Sequence, residues 1–206
     1  MTDPILCAQV WNTNADLIVA CTQLGYLHDD WLTLDPTWGR GIWWKKWCPQ
    51  ELVRHDKYTL DGVDFRELPH DDGTFEAITY DPPYVCVGGR TTTSLPDMHD
   101  RFGLTNAPNT PQDLQLMINA GLDELWRVAA KKCRVLVKCQ NYVSSGHVWP
   151  GAFETYNHAR RIGFKFVDDL THIQKGVRPQ PTTRNGKTSK QQHARRNHSN
   201  LFIFQK

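Results

Sequence analysis

The residues best suited to chemistry form the run Asp81-Pro82-Pro83-Tyr84, which follows the apolar stretch Ala77-Ile78-Thr79-Tyr80. An ionised Asp81 can only accept hydrogen bonds, and the carbonyls of Pro82 and Pro83 accept with no competing N–H of their own. Acceptors gathered without donors suit a planar NH2 group. Tyr84 adds a flat face on which a heterocycle can stack, a contact worth roughly 1–3 kcal/mol per base in nucleic-acid sites. An exocyclic amine on a base is a poor nucleophile because its lone pair is delocalised into the ring. Accepting its hydrogens while the base is held rigid would localise that lone pair and aim it at an electrophile. Taken alone, the four residues read equally well as a rigid turn with an exposed carboxylate.

A second group stands earlier, at Asp35-Pro36-Thr37-Trp38-Gly39-Arg40-Gly41. Its glycines permit positive φ and let a ligand approach the backbone closely. A lone Gly-x-Gly is read as a turn or a phosphate cradle. It lacks the Gly-Lys-Ser/Thr ending of a P-loop, which argues against ATP or GTP hydrolysis, and Trp44 stands where a dinucleotide fingerprint would carry its third glycine. Asp56 follows the next apolar stretch, at the place where nucleotide-binding sheets hold ribose hydroxyls. By itself it would pass for a surface carboxylate.

The elements that must position these groups are legible in outline. Leu17, Ile18, Cys21 and Leu24 share one face of a helix expected over Asn14 to Leu24, with Asn14 as its cap. Short strands are expected at Trp31–Leu34, Leu52–His55 and Gly62–Phe65, with a fourth entering the Asp81 corner, at βαβ-like spacing. Two adjacent prolines end that fourth strand, since neither has an N–H and each restrains the residue before it to an extended shape. Ile42 to Trp47 opens a short helix that Pro49 ends. The clearest helix is Asp113 to Lys131, where Leu114, Met117, Ile118, Leu122, Leu125, Trp126 and Ala129 recur at helical spacing. A buried strand, Arg134 to Cys139, comes next. A helix over Phe153 to Arg161 stops at Gly163, and Phe164–Ile173 and Leu201–Phe204 close the chain as an antiparallel pair. The sum is one α/β domain over residues 1–206. Residues 88–111 and 174–200 are read as long loops facing a substrate.

Composition narrows the partners. No apolar run approaches the roughly 20 residues that span a bilayer, and the N-terminus lacks a basic-then-apolar secretion signal. A cytoplasmic location follows as an expectation. Cys7, Cys21, Cys48, Cys86, Cys133 and Cys139 are scattered without a Cys-x-x-Cys pair, and the nine histidines show no His-x-x-x-His spacing, so no metal is expected. Beyond Asp169 come Lys175, Arg178, Arg184, Lys187, Lys190, Arg195, Arg196 and Lys206 with no acidic residue, leaving 16 basic against 22 acidic before it. An acidic body with a basic end suits a polyanion met from one side.

Three pieces together carry a resemblance: Asp35-Pro36-x-x-Gly39-x-Gly41, then Gly62-Val63-Asp64-Phe65-Arg66-Glu67-Leu68-Pro69, then the Asp72-Gly73 turn that leads into Asp81-Pro82-Pro83-Tyr84. In this order they resemble the S-adenosylmethionine-dependent amino-methyltransferases with a DPPY motif, especially the small DNA adenine-N6 methylases of phage or bacterial type. The resemblance runs from Trp31 to Phe204. It implies a Rossmann-like class I methyltransferase fold, a mostly parallel seven-stranded sheet with an antiparallel last strand. It implies S-adenosyl-L-methionine as cofactor, lined by Asp35, Pro36, Gly39 and Gly41, with Asp56 on its ribose and Asp64 on its adenine. Asp81, Pro82 and Pro83 would hold the target amine while Tyr84 stacks on the base, flipped out of a duplex. DNA is the first substrate implied. RNA guanine-N2 or adenine-N6 and DNA cytosine-N4 methylation stand as alternatives, as does a nucleic-acid-binding module that has lost catalysis. Cytosine-C5 chemistry is disfavoured, because it needs a thiolate usually set as Pro-Cys, and Cys48 precedes its proline while Cys86 follows a valine.

Overall fold

The computed structural model describes residues 11, 13–83, 108–173, 193, 194 and 196–206. One sheet is built from β1 (Thr33–Asp35), β2 (Leu52–Arg54), β3 (Phe75–Tyr80), β4 (Ala129–Cys139), β7 (Lys165–Ile173) and β8 (His198–Gln205), in the spatial order β2-β1-β3-β4-β8-β7. β1 pairs in parallel with β2 on one side and β3 on the other, and β3 pairs in parallel with β4. β8 runs antiparallel to both β4 and β7. The chain therefore leaves β1 first to one side and then to the other, which opens a crevice at the C-terminal ends of β1 and β3, where open α/β sheets take their ligands. This is the expected Rossmann-like α/β fold with an antiparallel last strand.

Two expectations need correction. The main sheet has six strands among the described residues, not seven, because residues 62–64 are irregular and Phe65 enters a turn, with no strand there. The cause is local. Asp61 Oδ1 accepts the Val63 N–H, Asp64 Oδ1 accepts the Arg66 N–H, and Gly62 sits at φ 80° with its N–H on the Asp56 carbonyl. Carboxylates that bond nearby backbone N–H groups offer the chain an alternative to a ladder. The helix expected from Ile42 to Trp47 likewise shrinks to a 3-10 turn, Ile42–Trp44, so residues 36–74 cross the sheet twice with no α-helix.

The helices lie close to expectation. α1 (Asn14–Gln23) is capped by Thr13 instead of Asn14, in a reciprocal box with Asp16. α2 (Pro111–Val128) starts on the Thr110 hydroxyl, and α3 (Gly151–Ile162) stops at Gly163 in a left-handed conformation. Between β4 and α3 the chain makes a hairpin that was not expected, β5 (Tyr142–Ser144) with β6 (His147–Trp149).

The pleat divides the core. Leu34, Ile78, Val135 and Val137 face α2 and α3 with Phe75, Tyr80, Phe164 and Phe204. Ala77, Leu136, Leu201 and Ile203 face the other way, onto Leu17, Ile18 and Cys21 of α1 and onto Trp43 and Trp44. Helix α2 crosses β3 closely at Gly121, where a Cβ would stand 2.2 Å from the Tyr80 hydroxyl. Cys21, Cys133 and Cys139 are buried, while Cys48 is exposed. No described helix is long and apolar enough to cross a membrane.

Candidate active site

β1 and β3 both run into an aspartate followed by proline, Asp35 as the last residue of β1 and Asp81 just past the end of β3. Pro36 and Pro82 have no N–H to extend a ladder and hold the residue before them extended. Thr33 lies beside Ala77 and Leu34 beside Ile78, so Asp35 stands level with Thr79 and Asp81 follows two residues further on the same face. Thr37 joins them. Its N–H donates to Asp35 Oδ1 at 3.0 Å, and its hydroxyl accepts the Asp81 N–H at 2.9 Å.

Two adjacent tryptophans finish the arrangement from the 3-10 turn. The Trp44 indole N–H donates to Asp35 Oδ2 at 2.7 Å, and the Trp43 indole N–H donates to Asp81 Oδ2 at 3.0 Å. Burial pushes the Asp35 carboxyl up to about 7 against the pull of the Trp44 and Thr37 hydrogen bonds, with Asp81 adding to the rise. Near neutral pH Asp35 is thus poised between charge states, while Asp81 remains partly exposed and also lies 3.8 Å from Lys138 Nζ. Pro36 and Pro82 are buried, and Pro83 is half-buried.

The glycine turn is held from the next loop. Gly39 and Gly41 both take positive φ, 55° and 62°. Gly39 donates its N–H to Asp56 Oδ2 at 2.8 Å and accepts the Thr59 hydroxyl at 2.9 Å, while Asp56 Oδ1 accepts the N–H groups of Tyr58 and Thr59. A Cβ on Gly41 would stand 2.4 Å from the Trp38 ring, whereas one on Gly39 would find nothing nearer than 3.9 Å. Gly41 therefore serves the packing of Trp38, and Gly39 is the backbone position open to a ligand.

Asp64 is fully engaged. Oδ1 accepts from Arg66 N and Nε, and Oδ2 accepts from the other arm of that guanidinium and from Lys57 Nζ. Arg66, with Lys57 adding to it, holds this carboxyl well below the usual range. A carboxylate has about four acceptor positions, so contact with a further donor requires Lys57 or Arg66 to swing away. Both are exposed surface side chains.

Tyr84 lies outside the described residues, as do 84–107 and most of 174–197. Of the two expected loops, Pro111 belongs instead to α2, with Thr110 as its cap, and 198–200 belong to β8. Ile173 and His198, which flank the basic stretch, pair with each other beyond the point where Cys139 pairs with Asn200. That is the sheet edge that carries Asp35 and Asp81.

Several solved methyltransferases share this architecture at low similarity. A candidate DNA modification methylase from Thermus thermophilus, solved in complex with S-adenosyl-L-methionine, is 13% identical over 69% of this chain and 53% of its own, with TM-score 0.45. This chain therefore spans about half the length of that protein. A SAM-dependent methyltransferase from Methanosarcina mazei is 10% identical over 89% of this chain and 95% of its own, at TM-score 0.46. The 16S rRNA (adenine(1408)-N(1))-methyltransferase from Catenulisporales acidiphilia is 12% identical over 95% and 84%, at TM-score 0.38. No protein-family model matches the sequence, and no curated protein matches it.

Trp43, Trp44 and Thr37 act at the site although sequence reasoning gave them no role there. A clue existed in the Gly41-Ile42-Trp43-Trp44 run, since buried indoles need an acceptor for their N–H. Among the described residues no three His, Cys, Asp or Glu side chains gather as a metal site. Burial also pushes the Cys21 and Cys133 thiols up to about 12 and the Cys139 thiol well above its ordinary value, so none of the three offers a thiolate at neutral pH.

Proposed function

We propose that the chain transfers a methyl group from S-adenosylmethionine to the exocyclic amine of a nucleic-acid base, in the first place N6 of adenine in DNA. The observation that carries this reading is the adjacency of two Asp-Pro strand ends, one facing a glycine turn and the other opening the Asp81-Pro82-Pro83 corner. One end suits a cofactor and the other an amine.

The residues fit the cofactor in three respects. Gly39 leaves open space at a left-handed turn. Asp35 is a buried carboxyl whose ionised form would be stabilised by a cationic amino acid moiety. Asp56 uses three of its roughly four acceptor positions on the backbone, which leaves one for a ribose hydroxyl. The cofactor would supply a methyl group made electrophilic by its positively charged sulfur.

The rest of the work belongs to the chain. Asp81 and the Pro82 carbonyl accept the hydrogens of the target amine and hold it still, while Thr37 and Trp43 fix Asp81 from behind. Catalysis then rests on proximity and orientation, with no covalent enzyme intermediate. A base inside a duplex must leave the stack to reach the corner. The basic residues between Ile173 and His198 begin and end at this edge, which supports a polyanionic substrate.

The test is transfer of labelled methyl groups to DNA, to RNA and to a control without nucleic acid, followed by nucleoside analysis. Label in N6-methyladenine from DNA that disappears in Asp81→Ala supports the reading. Label confined to RNA, or found in N4-methylcytosine, replaces the substrate. No transfer to any nucleic acid, with no cofactor binding by calorimetry, overturns it.

A further inference from the structure

We propose that Lys138 is the positioning residue for Asp81, a buried ammonium that keeps the carboxylate in its acceptor-only form and aims it at the amine. This rests on the reading of Asp81 as the group that holds the amine.

The placement follows from the pleat. Leu136 of β4 packs into the core on the α1 side, and Lys138, two residues on, projects to the same face. By the same alternation Ser199 precedes Leu201 on β8 and His172 follows Leu170 on β7, with His172 and Ser199 paired across the ladder. All three are buried, Lys138 to 5% exposure. The apolar face of the sheet thus gives way, at its C-terminal edge, to a polar row that continues the line of Asp35 and Asp81.

A buried ammonium without partners is strongly disfavoured, and Lys138 has them. Its Nζ donates to Asn14 Oδ1 at 2.8 Å and lies 3.8 Å from Asp81 Oδ2, the oxygen that also takes the Trp43 indole N–H. Nζ is 5.8 Å from the centre of the Trp43 ring. Asn14 can serve Lys138 because Thr13 caps α1 in its place.

Among the described residues, charged and titratable groups stand around Asp81 on several elements. Asp35 on β1 is an acidic neighbour whose own carboxyl is pushed up by burial. Lys138 on β4 is the cation, its Nζ 3.8 Å from Asp81 Oδ2, and the thiol of the next residue, Cys139, stays protonated. His172 on β7 has neither ring nitrogen hydrogen-bonded, and burial together with Lys138 lowers its affinity for a proton. Asp16 on α1 is paired with Lys46. A protonated Asp81 would present an O–H toward the amine and lose its grip, since only the ionised form is purely an acceptor.

The test is a carboxyl carbon NMR titration of the full chain labelled at aspartate, with the Asp81 resonance assigned by its loss in Asp81→Asn. In Lys138→Met the Asp81 midpoint is expected to rise by about one pH unit or more, as for a carboxylate that loses an adjacent cation. Lys138→Gln, which can still donate to Asn14, should show the same rise and serves if the Met variant does not fold. Lys138→Arg should restore the wild-type midpoint. The acid limb of the methyl-transfer rate should move with the titration while cofactor affinity stays unchanged. An unmoved Asp81 midpoint in the Met and Gln variants overturns the inference whatever the activity. A wild-type protein that methylates no nucleic acid overturns the reading of the site instead, and the titration then still decides whether Lys138 sets the charge of Asp81.

Discussion

Gly39 donates its backbone N–H to Asp56 Oδ2 at 2.8 Å, so the turn after β1 is held by a side chain from the turn after β2. The same carboxylate gathers the N–H groups of Tyr58 and Thr59. Removing it in Asp56→Ala strands three donors and frees the glycine turn. The expected result is a loss of about 1–3 kcal/mol in denaturant titrations, with cofactor affinity weakened at least roughly tenfold, the factor that 1.4 kcal/mol represents. Asp56→Asn should fall between, because its amide oxygen can still accept from two donors. Cofactor binding that is unchanged in the Ala variant would remove Asp56 from the site.

Trp43 and Trp44 can be separated by experiment because each indole serves a different aspartate. Trp43→Phe keeps an aromatic ring in the core and deletes the donor to Asp81. Methyl transfer should fall by about tenfold at unchanged cofactor affinity, as for one lost hydrogen bond to a charged group. Trp44→Phe should act on cofactor binding first. Equal effects of the two substitutions on both quantities would contradict this division.

Asp35 reverses the usual behaviour of an aspartate in pH-dependent stability. Its folded value of about 7 lies above the ordinary 3.8, so the native state holds a proton that the unfolded chain has released. Stability attributable to Asp35 is therefore fully present below the ordinary value, declines as pH rises through the window between the two, and levels off above the folded value. The slope cannot exceed about 1.4 kcal/mol per pH unit for one group. Urea denaturation of wild type and Asp35→Asn from pH 4 to 8 gives the difference curve, in which other groups cancel. A flat difference would show that Asp35 titrates normally.

Gly121 is the point of closest approach between α2 and β3. Gly121→Ala puts a methyl carbon 2.2 Å from the Tyr80 hydroxyl, and Tyr80 is wholly buried with that hydroxyl donating to the Ile118 carbonyl. The better helix propensity of alanine will not compensate. A loss of about 1–3 kcal/mol is expected, typical of overpacking, read as a lower Tm. Pairing the substitution with Tyr80→Phe, which removes the obstructing oxygen, should recover part of it.

Much of the frame was legible in the residues because it rests on local rules. Asp35-Pro36 and Asp81-Pro82 announce strand ends wherever they stand, and Leu114, Ile118, Leu122 and Leu125 mark α2 by period alone. The misreadings are local too. Gly62–Phe65 carried apolar residues at strand spacing, yet Asp61 and Asp64 turned their carboxylates onto the backbone. Asn14 is a good cap in isolation, but Thr13 has Asp16 three residues on to complete a reciprocal box.

The sequence by itself determined where the strands stop, which residues tolerate a left-handed turn, and that carboxylates and carbonyls gather at Asp81 to Pro83 without donors of their own. These depend on φ restrictions and missing N–H groups, which act within one or two residues. Only the tertiary structure decided that Asp35 and Asp81 are neighbours joined by Thr37, that Trp44 serves one and Trp43 the other, that Asp56 braces Gly39, and that Lys138 faces Asp81. Such pairings join residues up to 124 apart in the chain, as between Lys138 and Asn14. Their partners are chosen by sheet register and by which face a pleated strand turns to the core, neither of which any single stretch of sequence contains.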